Sequence, residues 1–314
     1  MCKICGCESG AKATTTNLQT GRMILLDSQG VQPHEHVRPD GTRYVHSHAS
    51  DGEYHRITAE RSDPPRGHAH EHIHAVKERH APASLMEIET RVLAKNDALA
   101  ERNRAWLAER GILAVNLMSA PGAGKTTLLE RTIREMTDAR SLFVVEGDQA
   151  TTNDAERIRA AGAPVVQVNT GTGCHLDAEM VASGLRELDP ARGSIVVIEN
   201  VGNLVCPALF DVGEQRRIVV LSVTEGDDKP LKYPHMFRTA DLVLLNKIDL
   251  LPYVDFDVSR AIANARVANP GVVALPVSAR TGEGLSDWYA WLAAMSTAPA
   301  AVVTAHADPA HEAR

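Results

Sequence analysis

Beyond about Ser84 the chain alternates short uncharged apolar runs with stretches in which apolar residues recur every three or four positions. The first pattern is that of strands buried on both faces and the second that of amphipathic helices. Between Ser84 and Arg110 the residues Leu85, Ile88, Val92, Leu93, Leu99, Trp106 and Leu107 predict one or two helices, opened by a capping box of Ser84 and Glu87. Ile112–Met118 reads as a strand and runs through a glycine-containing loop into the helix-forming Thr127–Glu130. Strands follow at 141–145, 164–168, 194–198, 218–223, 241–245 and 272–276, and helices at 154–161, 176–188, 259–268 and 285–295. Such alternation predicts an α/β fold, a doubly wound, mostly parallel sheet with helices on both faces and ligands beyond the carboxyl ends of the strands. Residues 10–83 lack either period and are rich in Pro, Gly, Asp, Arg and Ser, which reads as a flexible linker. The organisation expected is a terminal cysteine motif over 1–9, the linker over 10–83, one domain with N-terminal capping helices over 84–295, and a disordered tail over 296–314.

Composition narrows the class. In 314 residues, 44% hydrophobic and 23% charged fractions are those of a soluble globular protein. A formal charge of −7 argues against a general nucleic-acid binder. No apolar run is long enough for a bilayer and the N-terminus has no signal-peptide core, so a cytoplasmic protein without a membrane partner is expected. Five cysteines in such a compartment suggest metal or thiol chemistry rather than disulfides.

The loop after the first strand is Ser119-Ala-Pro-Gly-Ala-Gly-Lys-Thr126, a phosphate-binding P-loop with Ser119 where the usual pattern has a glycine. Gly122, Ala123, Gly124, Lys125, Thr126 and Thr127 present successive backbone N–H groups at a helix N-terminus. Lys125 is placed to reach the β- and γ-phosphates, and the Thr126 hydroxyl to ligate Mg²⁺. Asn246-Lys-Ile-Asp249 chooses the base: the Asp249 carboxylate accepts the N1–H and 2-amino protons of guanine, which adenine lacks. Lys247 covers the ring, Asn246 braces the loop, and Ser278-Ala279 supplies an amide toward the guanine O6. GTP and GDP are therefore the expected nucleotides. Glu146-Gly-Asp148 and Glu199-Asn-Val-Gly202 end two later strands. Asp148 and Glu199 are the candidate carboxylates for Mg²⁺, and the Gly202 N–H the candidate contact to the γ-phosphate. No Gln or Arg stands out as a water-positioning group or arginine finger, so slow hydrolysis by the monomer is expected.

Two further groups suggest metal. Cys2, Cys5 and Cys7 form C-x-x-C-x-C, enough thiols to wrap one soft or borderline ion, or else half of a zinc or redox site. His34, His36, His46, His48, His55, His68, His70, His72, His74 and His80 make the linker a weak reservoir for Ni²⁺, Zn²⁺ or Cu²⁺ that acid would empty, or a solvated tether. Cys174-His175 and Cys206 lie just past strand ends. They are small core residues or, with two thiolates and an imidazole, a Zn²⁺ or Ni²⁺ site.

The terminal CxxCxC, the His-rich insertion, KNDALAERNRAWL, SAPGAGKTTLLE, EGDQATTNDAERI, GTGCHLD, IENVGNLVCP, NKIDL and SARTGEG together resemble the hydrogenase nickel-incorporation GTPases of the HypB type. These belong to the dimerising, SIMIBI-type branch of P-loop GTPases. The resemblance spans Leu85 to about Leu292 plus the first residues. It implies tight Ni²⁺ binding by the terminal cysteines and a metal site of Cys174, His175 and Cys206 at the interface of a GTP-linked homodimer. It also implies partnership with a hydrogenase large-subunit precursor and a second nickel-maturation protein. A urease-type nickel GTPase and a nickel or zinc storage protein are the rival readings. CxxCxC and KNDALAERNRAWL favour the hydrogenase type.

Overall fold

The computed structural model describes residues 13–26, 34–37, 43–46, 85–136, 141–149 and 151–297. Cys2, Cys5, Cys7, Ser84, the histidines from His48 to His80 and the tail from residue 298 lie outside the described residues. The chain divides into two units, Met1–Leu26 with Val92–Arg314, and Asp27–Arg91.

In the larger unit, β1 (Thr14–Asn17) and β2 (Met23–Leu25) precede the long helix α1 (Leu85–Glu109), which enters this unit at Val92. There follow β5 (Leu113–Ser119), α2 (Lys125–Glu135), β6 (Leu142–Asp148), α3 (Asn153–Ala161), β7 (Val165–Asn169), α4 (Ala178–Leu188) and β8 (Ile195–Glu199). Next come α5 (Cys206–Leu209), β9 (Arg216–Ser222), α6 (Lys229–Lys232), α7 (Pro234–Arg238), β10 (Leu242–Asn246), a 3₁₀ turn (Ile248–Tyr253), α8 (Val258–Ala268), β11 (Val273–Pro276) and α9 (Leu285–Thr297). The smaller unit holds the antiparallel hairpin of β3 (His34–Val37) and β4 (Arg43–His46), whose register sets His34 opposite His46.

The large sheet runs β11-β10-β9-β5-β8-β6-β7-β1-β2, parallel throughout β5 to β11. All seven residues of β5 are buried, as a central parallel strand covered on both faces requires. Successive side chains feed opposite layers. Leu113, Val115 and Leu117 join Leu128 and Leu129 of α2, Ile158 of α3 and Trp288 and Leu292 of α9. On the other face Ala114 packs with Leu107 of α1 and Val181 and Leu185 of α4, while Met118 packs with Met236 and Phe237 of α7.

Two expectations change here. Residues 10–83 read as linker throughout, yet 14–17 and 23–25 form an antiparallel hairpin on the edge of β7, with Thr14 opposite Asn169. The run Thr14-Thr-Thr-Asn17 has little hydrophobicity to announce a strand, but it alternates faces. Thr15 is fully buried, and the Asn17 amide donates to the Glu187 carbonyl at the end of α4 at 3.0 Å. Ladder bonds and one capped helix end replace a hydrophobic stripe.

The other change concerns α1. Its contact stripe in this unit is Asn96, Ala100, Asn103 and Leu107, at steps of four, three and four, while Val92 is 48% exposed. Asparagines make the seam because backbone groups face it. The Asn103 amide donates to the Ala178 and Val212 carbonyls at 2.8 and 3.0 Å. Asn96 accepts the Ala178 N–H at 2.9 Å and donates to the Asp211 carbonyl at 2.8 Å.

Candidate functional site

β5 ends in the glycine loop at the carboxyl edge of the sheet. Gly124 is held at φ 101°, and a Cβ there would stand 2.5 Å from the Asn246 amide, so only glycine fits. That amide donates to the Ala123 carbonyl at 2.9 Å, and the Asn246 oxygen accepts the Ala279 N–H at 3.1 Å. One fully buried side chain thus ties the phosphate loop to both loops expected to hold the base. Lys247, itself left-handed at φ 66°, donates to the Gly122 carbonyl at 2.6 Å. Asp249 accepts the Ser278 hydroxyl at 2.6 Å, which fixes its carboxylate beside the Ser278-Ala279 turn. Arg131 of α2 donates to the Arg280 carbonyl at 2.8 Å, so the helix that starts at the phosphate loop also holds the Ser278 turn.

The opposite wall is acidic. Lys125 is buried and donates to the Ser119 hydroxyl at 2.9 Å. Ser119, the departure from the usual glycine pattern, therefore has a partner: its oxygen receives the ammonium while its proton goes to the Ala120 carbonyl at 2.6 Å. The Thr126 hydroxyl donates to Glu199 at 2.7 Å, leaving its lone pairs for a cation. Gly202 lies against the phosphate loop: a Cβ there would meet the Pro121 Cα at 2.9 Å.

Asp148 and Glu146 are placed differently. Asp148 accepts the Gln149 and Thr151 N–H groups at 2.7 and 3.0 Å and the Thr151 hydroxyl at 2.7 Å, so it shapes its own loop. Glu146 is buried, sits at the register position of β6 opposite Glu199 in β8, and has one carboxylate oxygen without a hydrogen-bond partner. Glu199 likewise has one unpartnered oxygen. Burial, then the neighbouring Glu199, pushes the Glu146 carboxyl well up, and burial raises that of Glu199. Two buried carboxylates with unfilled oxygens beside a threonine hydroxyl are a donor set suited to a hard divalent ion such as Mg²⁺. Glu146 and Asp148 both lie in β6, and the sequence expectation falls on Asp148. The signal for Glu146 was a carboxylate inside an otherwise apolar strand.

A second cluster lies beyond β7 and β8. The Cys174 and Cys206 sulfurs are 2.9 Å apart, the His175 Nδ1 lies 3.8 Å from the Cys174 sulfur, and donor atoms of all three fit within 4.8 Å. It is the one group of three or more such donors among the described residues. His175 stacks on Phe210 with ring centroids 4.0 Å apart, and burial lowers its pKa to about 4, so the imidazole is a neutral donor near neutral pH. Cys206 opens α5, four residues past Gly202. The cluster is therefore connected to the phosphate loop through one short segment.

A glycine loop between the central parallel strand and a helix, its lysine and threonine facing a second strand's carboxylate, defines a P-loop nucleotide-binding protein of the α/β class. Residues 113–275 match the family model described as CobW/HypB/UreG, nucleotide-binding domain. The chain belongs to that family and, within it, to the hydrogenase maturation factors HypB. It is 56% identical over 217 residues to the Escherichia coli K12 factor, spanning 68% of this chain and 75% of that one. It is 41% identical to that of Cupriavidus necator over 96% of this chain and 90% of the other. The solved HypB from Helicobacter pylori in complex with nickel superposes with a TM-score of 0.63 at 35% identity, covering 68% of this chain and all of that one. The Archaeoglobus fulgidus factor gives 0.61 at 42%, covering 65% and 100%. Among the described residues no helix is long and apolar enough to cross a membrane.

Proposed function

We propose that this protein is a GTP-hydrolysing nickel metallochaperone, in which guanine-nucleotide state sets the affinity of a Cys174/His175/Cys206 site for the Ni²⁺ destined for a [NiFe]-hydrogenase large-subunit precursor. The observation that carries it is the covalent continuity from Glu199, which holds Thr126, through Gly202 against Pro121, to Cys206 in the three-donor cluster. Lys125 and the amides of Gly122 to Thr127 would hold the phosphates, Thr126 would hold Mg²⁺ beside Glu199, and Asn246, Lys247, Asp249, Ser278 and Ala279 would select guanine. When bound there, Mg²⁺ would neutralise the charge that develops on the phosphates as GDP leaves. Ni²⁺ is cargo, and Zn²⁺ fits the same two thiolates and imidazole.

Val205 and Leu209, which flank Cys206, are 49% and 48% exposed. They suit cover by a second subunit, so a homodimer linked to GTP would close over the metal site. The terminal Cys2, Cys5 and Cys7 would form a separate, tighter Ni²⁺ site. Transfer to the precursor, in concert with a second nickel-maturation protein, completes the proposed role.

Nickel titration of a variant lacking the three terminal cysteines and the His-rich stretch tests the link. Ni²⁺ affinity should differ roughly five- to 150-fold between GDP and a non-hydrolysable GTP analogue, with a reciprocal effect of Ni²⁺ on nucleotide binding or dimerisation. Cys206→Ala should abolish the difference while leaving nucleotide binding intact. Equal nickel affinities in the two nucleotide states would defeat the proposal.

A further inference from the structure

We propose that Glu146 is a positioning residue for the nucleotide-associated Mg²⁺, acting through Glu199, its partner in a buried carboxylate pair spanning β6 and β8, which orients the Thr126 hydroxyl. The inference rests on the guanine-nucleotide reading above and extends it to a residue outside the expected set.

Three observations converge. Glu146 and Glu199 are register partners on adjacent parallel strands, so their side chains leave the same face of the sheet at neighbouring positions. Both are nearly fully buried, 2% and 3% exposed, and each keeps one oxygen unsatisfied. Buried carboxylate oxygens are seldom left without a partner, since the lost solvation is not recovered. The third is charge. Lys125 is the cation that acts on both carboxylates, with Arg157 adding to it at Glu199 alone, and the Lys125 ammonium is bonded to Ser119 rather than to either of them. With a nucleotide bound, that ammonium is needed at the phosphates, and the pair is left with surplus negative charge.

Thr126 fixes where a cation would sit. Its hydroxyl proton is committed to Glu199 at 2.7 Å, so the lone pairs that could bind an ion are turned away from that carboxylate. A divalent ion at Thr126 therefore has Glu199 behind its ligand, with Glu146 as that carboxylate's neighbour across the sheet. Asp148, two residues on along β6, already has both oxygens engaged by Gln149 and Thr151. Glu146 is thus the β6 carboxylate with an oxygen to spare.

The competing description is a structural one, in which Glu146 is a neutral acid sharing a proton with its neighbour and never meets the cation. Glu146→Gln separates the two because glutamine copies the neutral acid in size and shape. The measurement is the Mg²⁺ dependence of fluorescent GDP binding to the full chain, with EDTA-treated protein as the metal-free reference. In Glu146→Gln the Mg²⁺ concentration for half-maximal effect should rise at least about tenfold, and GDP affinity in EDTA should stay within about twofold of wild type. Mn²⁺ bound to the GDP complex, counted by electron paramagnetic resonance, should weaken in parallel, a readout that needs no turnover. Glu146→Asp keeps the charge one methylene shorter and should fall between the two. It also serves if the glutamine variant does not fold. An unchanged Mg²⁺ midpoint in a folded Glu146→Gln or Glu146→Asp would overturn the proposal. Wild-type protein that binds no GDP would refute the nucleotide reading itself, and this inference with it.

Discussion

His175 shows how one buried side chain links stability to pH. Its imidazole lies against Phe210, and burial holds its pKa at about 4 instead of 6.5. The unfolded chain therefore binds more protons than the folded one between those values, so stability is full above about pH 6.5 and falls as the pH drops toward 4. For the metal-free protein this predicts a loss of about 2 kcal/mol between pH 7 and pH 5 from this residue alone. Urea denaturation at the two pH values checks it. His175→Asn should remove that part of the pH dependence, and a variant with the wild-type slope would show that another group is responsible. Asn246 is the counterpart in the nucleotide site. A single amide spans the Ala123 carbonyl and the Ala279 N–H, so a residue of the Asn246-Lys-Ile-Asp249 stretch, proposed to read the base, also sets the shape of the phosphate loop.

At the level of elements, α1 is a strap whose grip is polar. Asn96 and Asn103 bond the start of α4 and the Asp211-Val212 segment, and Arg104 pairs with Asp211 at 2.6 Å. The strap therefore joins the helix that follows Cys174-His175 to the chain that follows α5 and Cys206. Asn103→Ala would leave the Ala178 and Val212 carbonyls buried without their donor. A loss of roughly 2–4 kcal/mol is expected, about 1–3 kcal/mol for each orphaned acceptor with partial relaxation. Chemical denaturation measures it. A loss under about 0.5 kcal/mol would mean that water replaces the amide and that the strap is held by Leu107 and its apolar neighbours.

Across the whole molecule, the β1–β2 hairpin covers the edge of β7, which would otherwise present a row of unpaired backbone groups. Removing residues 1–26 should lower the melting temperature and speed amide exchange in β7 while β5 and β8 in the sheet centre stay protected. Unchanged exchange in β7 would show that the hairpin adds nothing to the edge. The strand–helix alternation, the glycine loop between strand and helix and the parallel sheet were all legible in the sequence, because a doubly buried strand needs a continuous apolar run and a tight strand-to-helix loop needs glycine at fixed spacing. Local chemistry of that kind is written residue by residue. The threonine-rich β1, the asparagine seam of α1 and the pairing of Glu146 with Glu199 were not, because none carries its own hydrophobic signal. Each takes its meaning from a backbone edge, a carbonyl or a carboxylate that is distant in sequence: Thr14 from Asn169, Asn103 from Val212, Glu146 from Glu199. The convergence of Cys174, His175 and Cys206 belongs to the same group. Their residue types proposed a metal, and the parallel ordering of β7 and β8 around the sheet decided that their donor atoms would meet.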